Sequence, residues 1–232
     1  MKILALDTST LMATCAVMDG DTVLGEYSLN QDMSHSEKLV PMIKEMLDSL
    51  GLKIDDIDLY GVSTGPGSFT GLRIGVATIR GFAHLFDKPL VGVPTLEGLA
   101  FNLPYNQIIV PMIDARRDRV YTGIYSFVDD KITTIMEPDV LEINDLLKIL
   151  EKYEKMVVNG DGSVLYRERI KTFLKDKVMF STIGQNSCRA SSIGGLALIK
   201  YNEGHRDDYY TLIPDYLRPS QAERELNEKE QR

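Results

Sequence analysis

The amino-acid sequence predicts an α/β protein with two lobes, each a mixed β-sheet flanked by helices. Strand patterns alternate with helix patterns after an initial run of three strands, which is typical of a sheet covered by helices. The same order of strands begins again near the middle of the 232 residues. Hydrophobic residues make up 44% of the chain and charged residues 26%, so there is enough apolar material for a hydrophobic core.

The first lobe is expected to open with three strands and a helix. Residues 3–6 form an apolar run that ends at Asp7, which indicates a buried central strand. Residues 13–18 and 22–29 follow as a hairpin. An apolar stripe at helical spacing then predicts a helix that ends at Gly51. The members of that stripe are Leu39, Ile43, Leu47 and Leu50.

A glycine-rich run follows the next strand. Residues 57–63 are expected to form that strand, and residues 65–75 (GPGSFTGLRIG) then turn the chain into a helix that reaches Phe86. A strand over residues 88–93 and a short helix over residues 95–101 complete the lobe.

The second half of the chain resembles the first in its order of elements. Residues 108–113 form an apolar run that ends at Asp114, just as the first strand ends at Asp7, and strands over 119–127 and 131–136 follow. This order indicates a weak internal duplication. Beyond it, helices are expected near 143–150, 165–173 and 191–201, with a strand at 156–158.

These patterns divide the chain into three parts. An N-terminal lobe, expected to resemble ribonuclease H in fold, spans residues 1–104, and a degenerate C-terminal lobe spans residues 105–218. Residues 219–232 mix charges of both signs with almost nothing apolar, so a flexible tail is expected there.

Composition limits the classes of partner. The formal net charge is −8, so a role near nucleic acid is expected to pass through another protein. No apolar run approaches the roughly 18–20 residues that cross a bilayer, and the first residues do not read as a signal peptide. The two distant cysteines, Cys15 and Cys188, are expected to be buried reduced thiols in a cytoplasmic protein.

The glycine-rich run permits two interpretations. Gly65 and Gly67 flank Pro66 after a strand, so the turn could hold an anion at a helix start. It lacks the lysine of a P-loop, and Thr70 stands where a dinucleotide motif has its third glycine. In the helix, Gly71 and Gly75 share one small face that would let another backbone approach. Ordinary packing against the protein's own sheet remains open.

Asp7 and Asp114 both end the first strand of a lobe, at the edge where α/β proteins bind ligands. Such a pair resembles the acetate and sugar kinase, Hsp70 and actin superfamily, in which the two acids help to hold a metal nucleotide. That resemblance implies ATP or ADP with magnesium, bound weakly or at a shared interface, with Asp7, Thr8, Gly65 and Gly67 as the nucleotide-binding residues. Neither acid is followed by a glycine that would admit a phosphate. The histidines His35, His84 and His205 show no metal-ligand spacing, so no metal site and no catalytic group are predicted.

Four strings resemble one bacterial family. Residues 65–75 look like the signature of the TsaB (YeaZ) family of tRNA threonylcarbamoyladenosine (t6A) biosynthesis proteins. Residues 3–10 (ILALDTST), 35–43 (HSEKLVPMI) and 214–223 (PDYLRPSQAE) are also similar to that family. The match spans nearly the whole chain and is strongest in the first lobe.

The resemblance implies a scaffold role without catalysis. In that family the partner TsaD transfers the threonylcarbamoyl group to adenosine 37 of tRNAs reading codons that begin with A. TsaB pairs with TsaD through first-lobe helices, the ATPase TsaE joins the pair, and homodimers form through the same surface. Contact with tRNA is expected through the complex alone, with no membrane association. The partner face is expected at His35, Leu39, Ile43, Leu47, Gly71, Arg73, Gly75, Ile79 and Phe82.

Two positions separate this chain from TsaD. TsaD-like proteins carry two metal-binding histidines on the helix after the strand near residues 90–93, where this chain has Thr95 and Leu99. A hydroxyl and an alkyl group cannot replace an imidazole pair. Two rival functions stay open at this stage: a small nucleotide-dependent kinase or ATPase of the superfamily, and a protein whose sole partner is a second copy of itself.

Overall fold

The computed structural model describes residues 1–30, 35–103, 107–128 and 131–217, and these form two five-stranded sheets with helices on both faces. The strands are β1 Lys2–Asp7, β2 Met12–Asp19, β3 Thr22–Asn30, β4 Leu59–Gly65, β5 Leu90–Pro94, β6 Ile108–Asp114, β7 Arg119–Val128, β8 Lys131–Glu142, β9 Met156–Asn159 and β10 Val178–Phe180. The helices are α1 His35–Leu50, α2 Phe69–Phe86, α3 Thr95–Phe101, α4 Ile143–Leu150, α5 Asp161–Leu165, α6 Arg167–Leu174 and α7 Ala190–Asn202.

The two sheets repeat one topology. The first has the order β3-β2-β1-β4-β5, and the second has the corresponding order β8-β7-β6-β9-β10. In each sheet the first strand is antiparallel to the second and parallel to the fourth. The predicted duplication is therefore confirmed at the level of topology, with Asp7 and Asp114 at equivalent strand ends.

Each sheet is buried on both faces. The apolar stripe of α1 packs with α2 on one face of the first sheet, and α7 covers the other face. α4 and α6 cover one face of the second sheet, and α3 covers the other. α7 follows the second sheet in the chain, within the span expected for the second lobe, yet it packs on β1, β2 and β4.

The chain then returns along the first lobe. We call residues 205–217 the strap. The Asp207 amide bonds to the Leu90 carbonyl oxygen at the edge of β5, and the Leu212 side chain packs against the first core. The expected lobe boundary at residue 104 and the expected tail at 219–232 fall outside the described residues and stay predictions.

Several elements differ from the sequence-based expectation. β8 runs to Glu142, six residues beyond its predicted end, because the hairpin with β7 continues past irregular pairing near Ile124. α5 and β10 were not predicted. No helix in the described ranges combines the length and apolarity needed to cross a bilayer.

Candidate functional site

A cleft of about 570 Å³ lies where the carboxyl ends of β1 and β6 face each other. Its walls come from both lobes and from the strap. Its lining residues are Ser9, Thr10, Leu11, His35, Pro66, Gly67, Ser68, Phe69, Ile113, Asp114, Ala115, Arg116, Arg117, Tyr121, Asp161, Asp215, Tyr216 and Leu217.

The glycine turn is packed against the segment that follows β1. A β-carbon on Gly67 would overlap the Ser9 carbonyl oxygen, and that oxygen already accepts a hydrogen bond of 2.6 Å from the Ser68 amide. Gly65 has a φ of 125°, which side chains rarely adopt, and it lies against the Asp215 carbonyl of the strap. The two glycines of the turn therefore allow close packing against Ser9 and Asp215 of the same chain, and not against a bound ligand.

Gly71 and Gly75 also allow close packing within the chain, in this case against Thr8. A β-carbon on Gly71 would overlap the Thr8 carbonyl oxygen, and one on Gly75 would overlap the Thr8 hydroxyl. The Thr8 hydroxyl in turn donates a hydrogen bond of 2.7 Å to the Gly71 carbonyl oxygen. The small face of α2 was expected to admit a partner helix. It admits the end of β1 instead, since both glycines are buried.

Asp7 lies below the cleft and is fully buried. Its Oδ1 accepts hydrogen bonds from the Ser9 amide (2.9 Å) and the Ser9 hydroxyl (2.8 Å), while Oδ2 has no hydrogen-bond partner. Burial raises the pKa of the Asp7 carboxyl, although the hydrogen bonds from Ser9 oppose that change. Burial and the neighbouring Asp7 also raise the pKa of Cys188, a free and buried thiol as predicted.

Asp114 repeats the local geometry of Asp7 at the other side of the cleft. Its Oδ1 accepts a hydrogen bond of 2.9 Å from the Arg116 amide two residues on, as Asp7 does from Ser9. The Arg116 guanidinium lies 3.4 Å from Asp114 Oδ2. Arg116, Arg117 and Asp118 all have positive φ, at 64°, 55° and 55°, a conformation costing roughly 1–2 kcal/mol per non-glycine residue.

The four residues expected to contact a nucleotide are not grouped in the cleft. Asp7 and Thr8 are at most 1% exposed, and Gly65 is buried under the strap. Of the four, Gly67 alone lines the cleft. Nucleotide binding stays a prediction. Asp7 Oδ1 and the Thr8 hydroxyl are already hydrogen-bonded within the chain, while Asp7 Oδ2 is buried without a partner.

The expected partner contacts also need correction. Four of the named side chains belong to the first core: Leu39, Ile43, Leu47 and Ile79. His35 is half-buried, with its Nε2 hydrogen-bonded to the Thr10 carbonyl oxygen at 2.9 Å. Phe82 is half-buried against the ring of Tyr60 at 6.1 Å. The apolar stripe of α1 was correct as helix periodicity, but it faces the sheet and not a partner.

A different set of residues on the same helices faces solvent. We call it the α1–α2 face, and it consists of Val40, Pro41, Thr70, Ala77, Gly81 and Leu85. Val40 is 49% exposed and Leu85 is 72% exposed. A β-carbon on Gly81 would have no atom within 4 Å, so no contact inside the protein explains a glycine there. The sequence analysis did not single out Gly81, although a glycine inside a helical pattern is a signal that could have indicated this face.

Arg73 is exposed, as a partner contact requires, but the strap already engages it. Its Nε donates a hydrogen bond of 3.0 Å to the Tyr216 hydroxyl, and its guanidinium lies 3.9 Å from the centroid of the Phe69 ring. Phe69 and Tyr216 stack with centroids 4.4 Å apart, and the Asp215 amide bonds to the Thr64 carbonyl oxygen at 2.7 Å. The two most distinctive strings of the sequence, at 65–75 and 214–217, thus touch.

Thr95 and Leu99, which stand where TsaD-like proteins have their two histidines, are both buried. Thr95 is fully buried with its hydroxyl unbonded, and Leu99 is 1% exposed within the core beneath the second sheet. In the described part of the chain, no three histidine, cysteine, aspartate or glutamate side chains lie together as metal ligands would.

Comparison with known proteins gives consistent matches. A family model described as TsaD, tRNA N6-adenosine threonylcarbamoyltransferase, matches residues 22–224. The tRNA threonylcarbamoyladenosine biosynthesis protein TsaB of Bacillus subtilis (strain 168) is 32% identical over 225 residues, covering 96% of this chain and 96% of that protein. The solved structure of YeaZ from Pseudomonas aeruginosa superposes with a TM-score of 0.77 at 25% identity, covering 93% of this chain and 99% of that one.

A more distant likeness concerns the fold alone. A ROK family protein from Streptococcus pneumoniae superposes with a TM-score of 0.52 at 10% identity, over 88% of this chain and 100% of that chain. It confirms the predicted two-lobed, acetate/sugar kinase–Hsp70–actin-like architecture. The TsaD family model also matches most of the chain. Because the relative from B. subtilis matches almost end to end, and the strings typical of the family lie in contact, the chain belongs to the TsaB (YeaZ) family.

Proposed function

We propose that this chain acts in the biosynthesis of threonylcarbamoyladenosine in tRNA, as a non-catalytic subunit that pairs with TsaD. The relatives named TsaB carry that biosynthetic role in their names. TsaE would join the pair, and a homodimer would use the same surface when TsaD is absent.

The non-catalytic role is supported by four buried residues, Asp7, Thr8, Thr95 and Leu99, none of which lines the cleft. Thr95 and Leu99 offer no imidazole, and both are buried. The carboxyl of Asp7 and the hydroxyl of Thr8 are sealed beneath the glycine turn by hydrogen bonds within the chain. A transferase of the TsaD type would need exposed metal ligands at this place.

The pairing is supported by the α1–α2 face. Glycine in the interior of an exposed helix costs about 1 kcal/mol relative to alanine, so Gly81 needs a reason outside the folded monomer. A partner helix approaching closely over Gly81, beside the exposed Leu85, supplies one. This observation carries the proposal of an interface.

The test is co-purification with TsaD. Gly81→Leu should weaken pairing at least about tenfold, since the new side chain fills the space a partner would occupy. The fold should not suffer, because leucine favours helix more than glycine does and nothing lies within 4 Å. Gly184→Leu is the matched control, since Gly184 also has open space and lies away from this face. Unchanged pairing of Gly81→Leu would contradict the interface.

A cellular measurement tests the biosynthetic role. Depletion of the protein should lower threonylcarbamoyladenosine in tRNA, and the wild-type gene should restore it. Thr95→Ala should also restore it, because no catalytic task is assigned to that hydroxyl. Modification that persists without the protein would refute the role. Tight binding of ATP with magnesium by the isolated chain, followed by turnover, would favour the kinase or ATPase alternative instead.

A further inference from the structure

We infer that the two lobes are locked together as one rigid body by exchanged helices and a partly buried amide cluster, so that the cleft keeps a fixed width. Lobes around a cleft often close on a ligand by a hinge, and such hinges need few contacts between the moving parts. The inference holds whether or not the chain pairs with TsaD, because it depends on contacts within the chain.

The first element of the lock is the exchange of α3 and α7. α3 follows the first sheet but packs on the second, and α7 follows the second sheet but packs on the first. The two helices also pack on each other closely. A β-carbon on Gly98 would collide with the Ile193 side chain, and one on Gly195 would lie 3.1 Å from the Phe101 ring.

The second element is a group of side-chain amides between the lobes, which we call the amide latch: Asn102, Asn159 and Gln185. The Asn102 amide nitrogen donates to the carbonyl oxygens of Gln185 (3.3 Å) and Ser187 (2.9 Å), and Gln185 Nε2 donates back to the Asn102 carbonyl oxygen at 3.3 Å. The hydroxyl of Ser192, on α7, donates to Asn102 Oδ1 at 2.6 Å.

Asn159 joins this latch to the second sheet. It ends β9, is fully buried, and donates from Nδ2 to the carbonyl oxygens of Leu99 on α3 (2.8 Å) and Gln185 (3.0 Å). A rotation of one sheet relative to the other would separate these groups and leave the buried Asn159 amide and the partly buried Asn102 amide without their partners. Breaking hydrogen bonds to buried polar groups without replacing them costs free energy, so the latch opposes the rotation.

Two further ties lie at the ends of α7. At its start, Glu26 of β3 accepts hydrogen bonds from the Arg189 guanidinium (3.1 Å to Nε) and from the amide and hydroxyl of Ser191. At its end, Lys131 of β8 pairs with Glu203 at 2.7 Å. α7 is therefore tied to the edge strand β3 by partly buried hydrogen bonds and, more weakly, to the edge strand β8 by an exposed ion pair.

The test is a distance measurement between the lobes in the full chain. Spin labels go on Glu45→Cys in α1 and Thr172→Cys in α6, both exposed positions, while Cys15 and Cys188 are buried and should stay unlabelled. We expect one narrow distance that changes by less than about 1 Å when ATP and magnesium are added. A second distance, or a change of more than about 2 Å on that addition, would overturn the rigid body.

Latch variants test the cause of the rigidity with the same labels. Asn102→Ala and the milder Ser192→Ala, which removes the hydroxyl that donates to Asn102 Oδ1, should broaden the distance distribution. Ile183→Ala, at a side chain that is 93% exposed on the short turn before α7, should leave it unchanged. If the Asn102 and Ser192 variants both fold and keep the narrow distribution, the amide latch is not what holds the lobes. If Asn102→Ala fails to fold, the Ser192→Ala result decides whether the latch holds the lobes.

Discussion

The hydroxyl of Thr8 donates a hydrogen bond of 2.7 Å to the carbonyl oxygen of Gly71, at a point where the two backbones leave no room for a β-carbon on Gly71. This contact fastens the end of β1 to the first turn of α2. It explains why glycine is required there, and it shows that the tightest contacts of the glycine-rich run are internal to the chain.

Gly71→Ala should destabilise the protein by several kcal/mol, because the new carbon would overlap the Thr8 carbonyl oxygen and force α2 away from β1. Gly81→Ala, on the open side of the same helix, should stabilise it by up to about 1 kcal/mol. Urea unfolding of both variants measures the difference. Equal effects of the two changes would contradict this account of α2.

Asp7→Asn should make the protein more stable at neutral pH. Burial raises the pKa of Asp7 in the folded state, so the folded protein binds a proton at Asp7 more tightly than the unfolded chain does. The contribution of Asp7 to the stability of the wild type is therefore fully present below the unfolded pKa of about 3.9 and is lost as pH rises through the folded pKa. Unfolding measured from pH 4 to 8 should show the variant gaining on the wild type by up to about 1.4 kcal/mol per pH unit.

The exposed Asp19 supplies a control of opposite sign. A hydrogen bond from the N-terminal amine lowers the pKa of Asp19, so its contribution is present above the unfolded pKa and is lost as pH falls. Asp19→Asn should thus lose a little stability at neutral pH. An Asp7→Asn variant whose stability parallels the wild type at every pH would refute the buried, proton-binding carboxyl.

Tyr216→Ala should loosen the strap over α2 and lower the unfolding free energy by about 1–2 kcal/mol, since it removes the stacking on Phe69 and the acceptor of Arg73. Tyr216→Phe keeps the ring and should cost about 0.5 kcal/mol or less, because the lost hydrogen bond is exposed. Hydrogen exchange at the Asp215 amide reports the strap directly. Equal losses in the two variants would mean that the stacking is unimportant.

Glu26→Gln should cost about 1–3 kcal/mol at pH 7, because Glu26 accepts charge-assisted hydrogen bonds from Arg189 at a poorly exposed site. Burial alone would raise the pKa of Glu26, but the hydrogen bonds from Arg189 and Ser191 outweigh it and the pKa is lowered. The advantage of the wild type should therefore persist above about pH 4.3 and shrink below it. A difference independent of pH would show that the charge of Glu26 does not matter.

Long periodic elements of the fold could be predicted from sequence. α1 and the first strands have apolar spacing that decides their type without tertiary information. β10 could not be predicted in this way, because Val178–Phe180 is too short for a period and forms by pairing with β9. α5 was missed for a similar reason, since its five residues follow Gly160 in a conformation set by contact with Met112.

The candidate site was predicted less well than the fold. Apolar periodicity shows that Leu39 and Ile43 share a face, but it does not say whether a sheet or a partner covers that face. The glycines at 71 and 75 signal a close approach, and the approaching residue, Thr8, is more than sixty positions away in the chain. The strap has no period at all and becomes visible through its contacts with Arg73 and Leu90.

The place of α7 has a consequence for a chain made from its N-terminus. β1 to β5 are complete once residue 94 has been synthesised, yet the side chains of Ile3, Leu59 and Val91 wait for α7 to cover them. Until residue 202 has been added, the nascent chain presents an uncovered apolar sheet face, which is a hazard for aggregation. α7, the last helix in the described part of the chain, therefore determines when the first lobe is finished.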